Sequence, residues 1–151
     1  MKKIGIMLVV IGCIATFVAF AADGRTLGIQ DVFERISKIE GFETEPFEDG
    51  SMGFPEGLGK AIMAIHPNAS PREEIVGLLD RLPKESLAYD NTDEEGRFDR
   101  IFVDEVGSKL LFVHVGCRTG DTVAILFQNV DIAKAKEFVT QINEELHSNN
   151  H

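Results

Sequence analysis

The chain holds two cysteines, Cys13 and Cys117, and that scarcity excludes a disulfide-stapled scaffold. If Cys13 leaves with an N-terminal leader, Cys117 stands alone and no intramolecular disulfide can form. Stability must then come from an apolar core, and an unpaired thiol in an oxidising compartment is either buried or joined to another chain. Cationic residues are also in deficit: 15 Lys and Arg face 25 Asp and Glu, a formal charge of −10. Such a surface repels phosphate backbones and anionic headgroups, so the reading is no nucleic-acid partner. No internal repeat, domain linker or low-complexity tract interrupts the chain.

What the chain does have begins at its start. Lys2 and Lys3 precede an apolar run over residues 4–22, closed by Asp23 and Arg25. A basic head, an apolar middle and small residues at the exit make a secretory signal. Ala19 and Ala21 form the A-x-A pattern of a signal peptidase site, which predicts cleavage after Ala21. Two alternatives stay open. Val10-Ile11-Gly12-Cys13 fits a loose lipobox with Cys13 as the acylated residue, although residues 14–22 stay apolar where a polar tether is usual. The run also approaches the ~20 residues that span a bilayer, so it could remain as an anchor with Lys2 and Lys3 in the cytoplasm. All three fates put the folded part outside the cytoplasm, in the periplasm or beyond the cell, and cleavage leaves no membrane contact. Losing Lys2 and Lys3, with no acid in residues 1–21, takes the formal charge from −10 to −12. The expected organisation is a leader over 1–21, one α+β domain over 22–148 and a disordered tail over 149–151.

Apolar periodicity fills in that domain. Ile29, Val32, Phe33, Ile36 and Ile39 recur at helical spacing, with Gly41 as a C-terminal cap. GFETEPFEDGSMGFPEG is acidic and punctuated by Gly and Pro; it holds one edge strand over 42–47, kept off a sheet centre by Pro46. LGKAIMAIHP reads as a short helical or buried segment. In ASPREEIVGLLDRLP, Ser70 is the expected N-cap, Pro71 the first helical residue and Glu73 the capping-box partner. Ile75, Leu78, Leu79 and Leu82 make its buried stripe, and Pro83 stops it. SLAYD is a candidate strand, and NTDEEG a polar loop. Phe98, Ile101, Phe102 and Val106 then return to helical spacing up to Gly107. KLLFVHVGC and TVAILFQNV, joined by RTGD, predict a β-hairpin with Gly120 in its turn. A last helix carries Ile132, Ala135, Phe138, Val139, Ile142 and Leu146 and is capped by Asp131. Leu111, Val113, Val115 and Cys117 on one hairpin face oppose Leu110 and Phe112 on the other, so both faces need cover. The fold class is therefore α+β: a small antiparallel sheet, with a hairpin in the C-terminal half, packed by several amphipathic helices.

No motif in this frame assembles a catalytic site. GFPEGLGKA fails as a phosphate loop because Phe54 stands where the first Gly is needed and Ala61 follows Lys60. DNTDEEGRFD offers Asp90, Asp93 and Glu95, with Asn91, as weak calcium ligands, yet the twelfth position of an EF-hand loop is Phe102. His114 and Cys117 lie an odd number of residues apart in a strand, which sends them to opposite faces and breaks a thiol–imidazole pair unless Gly116 bulges. His147 and His151 have metal-chelating helical spacing but sit in the tail. His66 has no evident partner, and Glu43, Glu45, Glu48 and Asp49 form an acidic edge. No cofactor is implied.

The order of an early helix, a capped middle helix, a Gly-bounded helix, an apolar hairpin and a final helix behind a signal peptide resembles small exported bacterial proteins, especially of the Bacteroides type, classed as domains of unknown function. The acidic segment 43–57 departs from that layout. The resemblance implies no catalytic residues. The expected function is a non-catalytic envelope or periplasmic protein that binds another protein or an envelope component. The alternative is a small-ligand or weak calcium-binding module using residues 90–99.

Overall fold

The structure, a computed structural model, describes residues 26–47, 54–116 and 120–149, without the side chains of 143 and 145–149. Cys13, Ala19, Ala21, Glu48, Asp49, Cys117 and His151 lie outside the described residues, as do the His147 side chain and Arg118 and Thr119 of the expected RTGD turn. Helix α1 (Ile29–Ser37) leads to strands β1 (Glu43–Phe47) and β2 (Lys60–His66), then helix α2 (Arg72–Leu79). A 3-10 turn (Lys84–Ser86) precedes β3 (Leu87–Thr92), β4 (Phe98–Asp104), β5 (Lys109–Val115) and β6 (Thr122–Gln128), and α3 (Ile132–Asn149) follows. The strands form one antiparallel sheet in the order β1-β2-β6-β5-β4-β3. The molecule is a mixed α+β fold.

Each face of that sheet carries its own core. Toward α1 and α2, Val32, Ile36 and Ile75 pack on Leu111, Val113, Val115, Ala124 and Leu126. Toward α3, Ala135 and Val139 join Ile101, Leu110, Ile125 and Phe127. Phe54 wedges into this second core, its ring 5.3 Å from that of Phe127 and 5.2 Å from that of Phe138. Burying one such aliphatic or aromatic side chain contributes roughly 1.5–3 kcal/mol, so the two layers are the main source of stability among the described residues.

The helices form where their apolar spacing allows. Ile29, Val32, Phe33 and Ile36 put one stripe of α1 against the sheet. Gly41, at φ +99°, closes the following turn so tightly that a β-carbon there would collide with His66 Nε2, which only glycine avoids. At α3, Asp131 Oδ1 accepts the Lys134 N–H at 3.3 Å, the position a capping side chain takes.

Three sequence expectations are corrected. Residues 98–104 are a strand, not a helix: β4 lies inside the sheet with Phe98 and Phe102 toward α2 and Ile101 toward α3. Two apolar faces abolish clean alternation and imitate helical spacing, while Val106 is fully exposed in the turn beyond. LGKAIMAIHP, read as helical or buried, supplies the largely buried strand β2, between β1 and β6, with no helix. Finally, α2 starts at Arg72 with no side-chain cap. Asn68 Oδ1 accepts the Ser70 N–H at 2.9 Å, so Asn68, not Ser70, organises the approach to the helix.

Candidate functional site

The outer strand β3 gathers most of the chemistry worth weighing. Its residues pair with β4 as Tyr89↔Ile101, Asp90↔Arg100, Asn91↔Asp99 and Thr92↔Phe98. Between Leu87 and Tyr89 the register shifts, so Leu87 stands opposite Phe102. Such a bulge re-aims a side chain. Here it places Leu87, 42% exposed, on the α2 side. There a cleft of about 470 Å³ is lined by Leu79, Leu82, Pro83, Leu87 and Phe102 among others. Asp80, Lys84, Asp90 and Arg100 supply its polar groups. No strand among the described residues pairs with the free side of β3.

The proposed calcium ligands are engaged in local contacts. Asp90 Oδ1 accepts the Thr92 hydroxyl at 2.7 Å and Arg100 Nε–H at 3.2 Å, and the Arg100 guanidinium also lies 4.2 Å from the centre of the Phe98 ring. Asp93 sits in the turn beyond β3. Its Oδ1 accepts the backbone N–H groups of Glu95 and Arg97 at 2.9 Å each, and its Oδ2 pairs with Arg97 Nε. The Arg97 bond, foremost, holds the Asp93 carboxyl below its ordinary range. Glu95 contributes a backbone N–H to this turn. Arg72 of α2 donates to Gly96 O at 3.0 Å and ties the same turn to the helix. Among the described residues, no group of three or more His, Cys, Asp and Glu side chains could hold a metal ion.

A second polar line crosses the α3 face. His114 Nδ1 and Asp99 Oδ1 are 2.6 Å apart across the β4–β5 pair, and both side chains are more than a third exposed. Nearby Tyr89 is buried, and its phenol is pushed above its ordinary pKa by that burial and then by the Asp99 charge, against a hydrogen bond with Asn91. An aspartate that orients an imidazole is one half of a general-base arrangement. The hollow beside it, about 290 Å³, is lined by Asn91, Asp93, Arg97, Phe98, Asp99 and His114, and none of these is a nucleophile of the hydroxyl or thiol kind. Sequence reasoning missed the pair because reading 98–106 as a helix hid the register that joins Asp99 to His114. His66, without an evident partner in the sequence, is buried at the other end of the sheet, where its Nδ1 accepts the Asn68 N–H at 3.1 Å.

No helix among the described residues is long and apolar enough to cross a membrane. Set against protein-family models, curated proteins and solved structures, the chain gives no match.

Proposed function

We propose that this is an exported, non-catalytic protein of the periplasm or cell envelope that acts by binding another protein, and that the free side of β3 is where it binds. One observation carries the reading: an outer strand without proline, its backbone groups unpaired by any described strand, runs beside the 470 Å³ cleft that holds the exposed Leu87. Exposed strand edges are templates for pairing with another chain, and adjacent side-chain pockets make such pairing selective. Export rests on the leader pattern of residues 1–21, and the likeness to Bacteroides-type exported domains belongs to the same proposal. So does the finer architecture, which the antiparallel register of β5 with β6 and the apolar stripe of α1 support.

The test is a photo-crosslinking residue placed at Leu87 in the exported protein, compared with the same residue at Thr44 on β1. A discrete protein adduct from position 87, weak or missing from position 44, is expected in envelope preparations at low salt. Adducts of equal yield from both positions, or none from 87, would remove the reading.

A further inference from the structure

A cleft flanks β3 on each face of the sheet. Toward α2 lies the one that holds Leu79, Leu82, Leu87 and Phe102. Toward α3 lies another of about 340 Å³, walled by Ala88, Val103, Val139 and Thr140 and lined also by Glu85, Glu105 and Lys136. Successive side chains of a strand point to opposite faces. A strand laid along β3 therefore delivers alternate residues into the two clefts, which is how strand addition reads sequence.

Charge selects what that strand carries. Within the clefts, Arg100 is paired with Asp90 and Lys136 with Glu105. Asp80 and Glu85 beside the strand, and Glu94 and Glu95 in the turn that follows it, make no ion pair among the described residues; against these four carboxylates stand Lys84 and Arg72, the latter bonded to Gly96 O. An acidic rim on a chain of formal charge −10 attracts a basic segment. It also repels a second copy of itself, whose own rim would meet it edge to edge.

We infer that β3 takes up an extended, cationic segment of another protein as an added strand, with apolar residues entering the α2-side cleft and basic residues facing Glu85 on the α3 side. This rests on the reading that the β3 edge binds a protein, and it adds the geometry and the chemistry of the partner.

The molecule supplies its own reporter. Tyr89, in the middle of β3, is its single tyrosine, and there is no tryptophan, so intrinsic fluorescence comes from this edge alone. The probe is an acetylated alternating lysine–valine peptide of about eight residues, an ordinary strand length, titrated into the full chain. Its controls are the glutamate–valine counterpart and a lysine–valine peptide with a central proline. The expected result is a saturable change in Tyr89 emission with amide shifts concentrated at residues 88–92. Both controls bind at least about tenfold more weakly, because one reverses the charge and the other removes a ladder donor. Physiological salt weakens the lysine–valine peptide about threefold or more, as screening of exposed charges requires. Glu85→Lys, an exposed change that leaves the core intact, weakens it by a similar factor, and Asn91→Pro abolishes the response.

Equal binding of the lysine and glutamate peptides, or shifts centred away from β3, would overturn the inference. So would edge shifts that grow with protein concentration and no peptide, since a second copy would then be the occupant. If Asn91→Pro fails to fold, Glu85→Lys decides: unchanged affinity refutes the charge selection. A crosslinked protein from position 87 combined with indifferent peptide charge removes this inference and leaves the proposed function standing. Failure of both experiments removes both.

Discussion

The sheet ends in two outer strands that are built in opposite ways. β1, ETEPF, exposes Glu43, Thr44, Glu45 and Pro46 and buries only Phe47. Proline withholds a ladder donor and the glutamates add charge, which are two of the ordinary means of blunting an edge. β3, LAYDNT, has no proline, anchors itself through Tyr89 in its middle and leaves Leu87 open beside a cleft. Its bulge and Asp90 shape the edge without closing it. A fold that guards one edge and leaves the other beside two clefts has one side suited to a partner, and that asymmetry is open to attack by mutation.

The largest expected effect is at β1. The Phe47 ring meets those of Phe54 at 5.8 Å and Phe127 at 5.9 Å. Removing a buried aromatic costs about 3–5 kcal/mol, so Phe47→Ala should lower the denaturant midpoint strongly. Leu87→Ala, at an exposed position, should cost about 0.5 kcal/mol or less. Similar costs at the two sites would mean that Leu87 is held by the core and is not available to a partner.

Next comes the anchor of β3. Tyr89→Phe removes a buried phenol that interacts with Asn91, and a loss of about 1 kcal/mol or less is expected in a melt. The same phenol gives the edge a dependence on alkaline pH. Its pKa is raised in the fold by burial and by Asp99, so its contribution is complete below the ordinary value of 10.0 and is lost as pH rises through the folded value. Phenolate absorbance, which reports Tyr89 alone, should rise later in the folded than in the unfolded protein, and Tyr89→Phe should remove this part of the alkaline destabilisation. Coincident titrations would place Tyr89 in water.

These two edges also show what a sequence displays and what it conceals. Pro46 beside Glu45 marks β1 as an outer strand directly, because proline in a ladder has few other places. Helix α1 is legible for a comparable reason: its single apolar stripe has one period. β2 and β4 were concealed because their apolar residues point to both faces of the sheet. There the apolar residues of KAIMAIH and FDRIFVD obey two cores at once, and no single period survives. The candidate site suffered most from this. The Leu87–Phe102 juxtaposition and the Asp99–His114 pair exist only through the register of β4, so misreading that one strand removed both from view. The acidic loop, by contrast, was visible as charge. What its spacing could not show is that Asp90 and Asp93 are bonded to Arg100 and Arg97.

A smaller effect sharpens the comparison on the α3 face. Asp99 beside the open edge has a cross-strand partner in His114, whereas Glu43 and Glu45 on β1 make no ion pair among the described residues. Both members of the Asp99–His114 pair are more than a third exposed, so solvent screening limits its worth to about 0.2–1 kcal/mol. A double-mutant cycle with Asp99→Asn and His114→Gln should return a coupling in that range. A value near 3 kcal/mol, the scale of a broken buried pair, would mark the pair as shielded and revive it as a candidate for acid–base work.

The smallest effect concerns the far end of β3, where the turn decides how firmly the edge is presented. Asp93 accepts two backbone N–H groups and pairs with Arg97, and Arg72 fastens Gly96 from the side of α2. Because the carboxyl of Asp93 is held below its ordinary value of 3.8, its contribution is complete above that pH and is lost as pH falls through the lower folded value. The site is open to water, so acidification should loosen the turn locally before the sheet melts. The Glu95 and Arg97 amides should then exchange faster while those of Leu111 and Leu126 do not. Asp93→Ala should produce the same pattern at neutral pH and weaken whatever binds β3 by letting the strand end fray. Unchanged exchange at Glu95 and Arg97 in that variant would show that Arg72 and the backbone bonds from Asp93 N–H to Arg97 O and from Gly96 N–H to Asp93 O hold the turn without the carboxylate.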